Sequence, residues 1–294
     1  MDLVRFDWAI KRLLRDKADF CIVEGLLTVL LGRKITIQKL LESEGNKECA
    51  DDKFNRVDVL AEGEDGELMI FEIQNDRELD YFHRMAYGTS KAIAEYMKAG
   101  QPYEKIRKVY SINIVYFSLG QGKDYAYRGT TQFVSMHDET EVLQLSKAQQ
   151  DAFGCEVPSD IFPEYYLLRV DMFDDVSKTP LDEWISFLKH SEIPETATAP
   201  GLAEARERLR IDSLNEDEKR SYYNMMENLR YQRSVIETGR AEGRMEGRAE
   251  GRAEGAKEKQ IEIARNLISL GLSIDQVAKA TDLSSSEISS LSEK

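Results

Sequence analysis

Apolar residues recur every three or four positions over residues 6 to 16 (Phe6, Ile10, Leu13, Leu14) and 19 to 31 (Phe20, Val23, Leu27, Leu30, Leu31), which predicts two helices. Gly32 stops the second. The period then changes. In RVDVLAEGEDGELMIFEIQ, residues 56 to 74, two apolar runs flank Glu64, Asp65 and Gly66, which predicts a two-stranded hairpin. Residues 77 to 100 return to helical spacing through Phe82, Met85, Ala86, Ile93, Tyr96 and Met97, with Gly100 as the stop. VYSINIVYF, residues 109 to 117, is dense in β-branched and aromatic side chains and predicts a buried strand. Further strands are expected near Thr131 to Met136 and within EYYLLRVDMF, 164 to 173, and helices from about 180 onwards. Strand, strand, helix, strand is a mixed α/β layout.

From Gly239 the pattern becomes a four-residue repeat, GRAE GRME GRAE GRAE GAKE. On a helix it would lay Gly, Arg, Ala or Met, and Glu in separate stripes. Glycine costs a helix roughly 1 kcal/mol per residue relative to alanine, so an isolated helix is disfavoured. A pair of helices, close along the glycines and complementary in charge, is one reading, and a flexible charged linker is the other. Beyond the repeat, residues 261 to 291 give helix, Gly271, helix, turn, helix, with Ser273 and Ser284 as N-caps, a spacing similar to a helix-turn-helix. Arg265, Lys279 and Lys294 face a larger set of acids there (Glu262, Asp275, Asp282, Glu287, Glu293), which favours protein contact over DNA reading.

These segments suggest a main domain over 1–195, a helical connector over 196–238, the repeat over 239–259 and a small helical tail over 260–294. The net charge of -14 is the wrong sign for holding nucleic acid by counterion release. It does not exclude a metal-dependent nuclease, in which carboxylates gather cations that meet the phosphate. Cys21, Cys49 and Cys155 lack zinc or disulfide spacing, no signal peptide is recognised, and no apolar run is long enough to span a membrane, so a soluble cytoplasmic protein is expected.

The chemistry concentrates on the hairpin. Asp58 lies among Val57, Val59 and Leu60, and Glu72 among Ile70, Phe71 and Ile73, where a buried unpaired carboxylate is costly. A three-residue loop of Glu64, Asp65 and Gly66 would set Asp58 opposite Glu72, with β-carbons ~5 Å apart. A two-residue Asp-Gly turn would put them on opposite faces. Facing acids repel, and oxygen ligands on a rigid hairpin suit Mg²⁺ or Mn²⁺. A surface hairpin whose acids pair with lysines is the competing reading.

DKADFCIVEGLL, DKFNRVDVLAEGEDGELMIFEIQN, DYFHRMAYGTSKAI, KVYSINIVYFSLGQGKDYAYRGTTQF and FPEYYLLRVDMF, followed by LDEW and the repeat, resemble the recombination-promoting nuclease (Rpn) and transposase family of the PD-(D/E)xK superfamily. The resemblance runs along nearly the whole chain. It implies a restriction-endonuclease-like core, a mixed central sheet flanked by helices, with a helical C-terminal extension. It also implies Mg²⁺-dependent cleavage of DNA in recombination or transposon-like mobility, with Asp58 and Glu72 as metal ligands. Gln74 then stands where the superfamily usually has lysine, and Lys91 or Arg84 on the next helix could supply the missing charge. Glu24 matches the glutamate that the superfamily often contributes from a preceding helix, an amphipathic edge position being the alternative. His83, next to Arg84, is a candidate proton carrier, but the histidines at 83, 137 and 190 offer no triad, and a structural or substrate-facing role is the favoured reading. The other readings are a degenerate nuclease fold that binds DNA or protein and self-assembles into a homodimer or larger oligomer through its tail, and, with less support, two carboxylates acting on a sugar.

Overall fold

The runs flanking Glu64, Asp65 and Gly66 close into an antiparallel hairpin of β2 (Val59–Gly63) and β3 (Leu68–Gln74), with Val59 opposite Phe71 and Leu60 opposite Ile70. Gly66 adopts φ 79°, the left-handed conformation that a three-residue loop requires, and its amide donates to the Gly63 carbonyl at 3.0 Å. The Gly63 amide in turn donates to the Glu67 carbonyl at 3.0 Å. The hairpin thus has the register of the three-residue loop and not that of the two-residue turn. Asp58 itself lies outside the described residues, which are 3–15, 20–41, 59–97 and 99–292 of the computed structural model.

The hairpin belongs to a mixed six-stranded sheet in the order β1-β2-β3-β4-β6-β5, completed by β1 (Ile37–Leu41), β4 (Val109–Val115), β5 (Ala126–Gly129) and β6 (Glu164–Arg169). β4 runs parallel to β3 and β6, while both edges are antiparallel. The edge strand β1 has no counterpart among the elements expected from the sequence. In IQKLL only Ile37 is buried, so the strand carries no alternating signature, and its lysine suits an exposed edge. The strand expected at Thr131 to Met136 is also corrected. The strand is β5, a few residues earlier, and Val134 contributes only a single bridge to Val142. β6 ends at Arg169 in a 3₁₀ turn instead of continuing to Phe173.

Both faces of β3 and β4 are buried, which explains why those strands are apolar almost throughout. Helix α3 (Tyr81–Tyr96) lies on the face of Ile70 and Val115, with Ala92 packed against Leu60, Leu68 and Ile70, and Tyr81 and Met85 against Val115 and Leu167. Phe6 of α1 (Phe6–Arg15) meets Trp184 and Phe187 of α5 (Pro180–His190) edge to face. A short helix α4 (Lys147–Phe153), capped by Ser146, lies between β5 and β6 in the chain. Helix α2 (Cys21–Leu31) approaches the chain ahead of α6 (Leu202–Arg208) so closely that a β-carbon on Gly25 would lie 2.4 Å from the Pro200 carbonyl oxygen. Ala199, Leu202, Ala205, Leu209 and Leu214 are buried, and the first compact unit extends to Lys219.

The second unit begins at Arg220, inside α7 (Glu216–Ser269), which runs unbroken through the repeat. The linker reading of the repeat is thereby corrected, the repeat being helical in the single chain. At 54 residues it is ~80 Å long. Side chains of α7 join α8 (Ile274–Thr281) and α9 (Ser285–Ser292) in a small core of Ala264, Val277, Leu283 and Ile288. The turns fall at Gly271 and Asp282, both left-handed. Ser273 with Gln276, and Ser284 with Glu287, cap the two helices reciprocally. Among the described residues no helix is long and apolar enough to cross a membrane.

Candidate functional site

Strand alternation places Ile70, Glu72 and Gln74 on the face of β3 that α3 covers. The parallel register sets Ser111, Asn113 and Val115 of β4 beside them, Glu72 being level with Asn113. An acid and an amide, on two strands that are mostly apolar, thus meet at one level of the sheet. Glu72 is 8% exposed and Asn113 fully buried.

Asn113 is held on all sides. Its Oδ1 accepts from the Tyr81 hydroxyl at 3.2 Å, and its Nδ2 donates to Ser111 Oγ at 2.9 Å and to the Ser111 carbonyl at 3.1 Å. Thr89 Oγ1, one helical turn past Met85, contacts the Tyr165 hydroxyl at 2.8 Å. Glu72, Tyr81, Arg84, Thr89, Ser111 and Asn113 line a cleft with about 10 Å³ of free space, on the order of one water-sized body.

The charged part of the site is built by the loop after β3 and the first turn of α3. Arg84 Nη2 lies 3.1 Å from Glu72 Oε2, and Nη1 lies 3.1 and 3.3 Å from the two oxygens of Glu78. Gln74 Nε2 also donates to Glu78 Oε1, at 2.8 Å. Burial works against the charge on Arg84, but the Glu72 and Glu78 carboxylates outweigh it and hold the guanidinium above its ordinary pKa. The Arg84 guanidinium thus bridges Glu72 and Glu78. Behind Gln74, Asn75 is clamped by Arg5 and Asp7, with Arg5 Nη2 donating to Asn75 Oδ1 at 2.8 Å and Asn75 Nδ2 to Asp7 Oδ2 at 3.0 Å.

Of the residues singled out from sequence, the structure brings Glu72 and Gln74 together and adds Arg84. Glu24 Oε1 accepts from the Ile37 amide at 2.7 Å, which fastens α2 to the start of β1. Lys91 is 3.7 Å from Glu95 along its own helix. His83 is exposed. Glu78 and Asn113 escaped the sequence reading. The signal for Asn113 was present, an amide within an apolar run, as Glu72 is an acid within one. Glu78 gave none, because an acid in RELD before a helix reads as ordinary capping.

Every donor here is an oxygen or an amide, a set that suits a hard divalent cation rather than a thiolate-seeking one. Among the described residues no cluster of three or more His, Cys, Asp or Glu could hold an ion without help from elsewhere. The described donors that fit such an ion are Glu72 and, within reach of the same guanidinium, Glu78.

A family model described as PD-(D/E)XK nuclease family transposase matches residues 4–153. A second, described as the C-terminal HTH domain of the Rpn/YhgA-like nuclease family, matches residues 257–293. No curated protein and no solved structure matches the chain. The first match contains β1 to β5 and the whole Glu72 cluster, and the second contains α8, α9 and the end of α7. The mixed sheet with its acid-bearing hairpin, together with the helical tail, makes this chain a member of the PD-(D/E)XK nuclease transposase family with an Rpn-type helix-turn-helix, and its function nuclease-like or transposase-like.

Proposed function

We propose that the chain is a DNA endonuclease that depends on a divalent cation, Mg²⁺ with Mn²⁺ as a substitute, and cleaves phosphodiester bonds in DNA recombination or transposon-like mobility. The observation that carries this reading is the buried Glu72 carboxylate, sharing the Arg84 guanidinium with Glu78 beside room for one small body. We assign Glu72 and Asp58 as the metal ligands, Asp58 on the strength of the hairpin register at Val59 and Phe71. A cation held there would activate a water and offset charge on the scissile phosphate.

The chain's own residues position the reactants. Glu72 is fixed by its strand and by Arg84. Gln74, its amide nitrogen committed to Glu78, has a carbonyl oxygen with which to accept a hydrogen bond from the attacking water. Lys91 follows Arg84 by seven residues on α3, so the two cations share a helix face along which a DNA backbone could lie. Glu24 supports the site by holding β1. The helix-turn-helix tail would add DNA contact, and α7 would pair with that of a second copy through its glycine stripe, giving a homodimer with two cleavage centres. In this reading the protein works in the cytoplasm.

The test is nicking of supercoiled plasmid in Mg²⁺, Mn²⁺ or EDTA, with Glu72→Gln and Asp58→Asn run in parallel. Nicking should require the metal and vanish in both variants. Equal nicking by both variants and the parent would overturn the mechanism. The Glu72–Arg84 ion pair favours one second reading, a nuclease fold retained for binding, which predicts DNA binding with no cleavage in any metal. Deleting 239–294 should lower the mass measured by light scattering, and an unchanged oligomer would remove the pairing.

A further inference from the structure

We infer that Gly88 keeps the mouth of the Glu72 cleft open, so that the sugar–phosphate backbone of a DNA strand lies directly against α3 between Arg84 and Lys91. The inference deepens the nuclease reading and rests on it for the identity of the strand. Glycine in a helix interior is less stable than alanine, so its presence within α3 asks for a reason. The two structural reasons that usually demand glycine are missing. Gly88 has no positive φ. Apart from its chain neighbours and the backbone of the helix itself, no described atom would lie within 4 Å of a β-carbon there. Gly25 is the opposite case, because its β-carbon would collide with the Pro200 carbonyl oxygen at 2.4 Å. What a side chain at 88 would enter is the cleft, which Gly88 lines together with Glu72, Tyr81, Arg84 and Thr89.

Helical spacing sets Arg84 one turn before Gly88 and Lys91 one turn after it, and all three are partly exposed. Both cations have acid neighbours, Glu72 and Glu78 at Arg84 and Glu95 at Lys91, so the row offers little net positive field to draw in a polyanion from a distance. Contact has to hold the strand. With no side chain at 88, the strand comes against the helix surface over a full turn. Lys91, whose pair with Glu95 spans 3.7 Å along a half-exposed helix face, donates to its phosphate at little cost. A methyl at 88 would hold the strand off the helix, and a branched side chain would cover the cleft.

Affinity of the full chain for a short fluorescein-labelled DNA duplex, read by anisotropy in EDTA at fixed salt, tests this without cleavage, with thermal unfolding followed beside it. Gly88→Ala should raise Tm by about 2 to 4 °C, because alanine is the better helix former, while DNA affinity falls about threefold. Gly88→Leu should lower affinity about tenfold. Its KM for plasmid nicking in Mg²⁺ should rise by a similar factor, with kcat changed less. Ala86→Leu puts the same bulk on the exposed far side of α3 and should leave affinity and KM near those of the parent. Opposite movements of Tm and affinity at 88, graded with side-chain size and absent at 86, are the expected result. A merely structural glycine would lower Tm and affinity together, and that outcome overturns the proposal, as does an equal loss in Ala86→Leu. Should Gly88→Leu fail to fold, parental affinity and KM in a stabilised Gly88→Ala overturn the inference. A parent that neither binds the duplex nor nicks plasmid sinks the nuclease reading and this inference with it. If the parent nicks and Gly88→Leu matches its KM, only the inference fails.

Discussion

Among the described residues two carboxylates are buried on strands of this sheet, Glu72 at 8% exposure on β3 and Glu164 at 6% on β6, and they are held by different sets of partners. Glu164 accepts from Arg128 Nε at 2.6 Å and from the Tyr166 hydroxyl, with Lys108 Nζ at 3.4 Å. Lys108 is tied down further by the carbonyls of Ser159 and Phe162. There, two cations serve one carboxylate. At Glu72 the Arg84 guanidinium is also held by a second carboxylate, Glu78. Burial pushes the Glu164 carboxyl up, but Arg128 and Tyr166 outweigh it and hold it below the ordinary value. Two cations make Glu164 a structural clamp, whereas Glu72, whose guanidinium also holds Glu78, is the acid that the proposed function assigns to a metal. Burial is common to the two acids, and their partners differ.

The largest effect should separate the two in catalysis. Glu72→Gln is expected to lower metal-dependent nicking on the order of 100-fold or more, the scale for losing a group that organises the transition state. Glu164→Gln should stay within a few-fold per folded molecule. Comparable losses in both, normalised to folded protein, would break the distinction between site and clamp.

Stability should reverse the order. Glu164→Gln leaves Lys108 partly buried beside an uncharged amide, and urea unfolding should show a loss of about 2 kcal/mol, below the range for fully buried pairs because Arg128 is largely exposed. Glu72→Gln keeps the Arg84–Glu78 pair and relieves repulsion between two acids, so its unfolding midpoint should change little or rise.

The same contrast should appear with pH. The folded Glu164 carboxyl titrates below its ordinary 4.5, so its contribution is complete above that value and is lost as pH falls through the lowered one. The parent should therefore lose stability more steeply than Glu164→Gln as the pH drops from about 5 to 3. Parallel acid limbs would show that the clamp does not exist in solution.

Glu72 was legible in the sequence because the acid interrupts an apolar run, and the hairpin register followed from the glycine at 66. Glu164 was not. An acid at the start of EYYLLR reads as a strand terminus, and its partners come from β5 and from the residue before β4, joined only by folding. Arg84 was one of two helix cations the sequence offered. What sets it apart from Lys91 in the fold is its contact with Glu78 on the loop before α3, which periodicity does not encode. β1 was missed because its outer positions are exposed, and the helical repeat was ambiguous because glycine propensity and stripe pairing pull in opposite directions.

The smallest effect tests how closed the Glu164 clamp is. Tyr166→Phe removes one neutral donor and leaves both cations, so the carboxylate keeps its charge and most of its bonds. A typical hydrogen bond contributes about 1 kcal/mol net, and the loss on unfolding should be no larger. A cluster with spare donors absorbs such a deletion, whereas one at the limit of its charge balance does not. A loss well above that figure would mean that Glu164 depends on its hydroxyl partner as Glu72 depends on Arg84, and the two acids would then differ in degree rather than in kind.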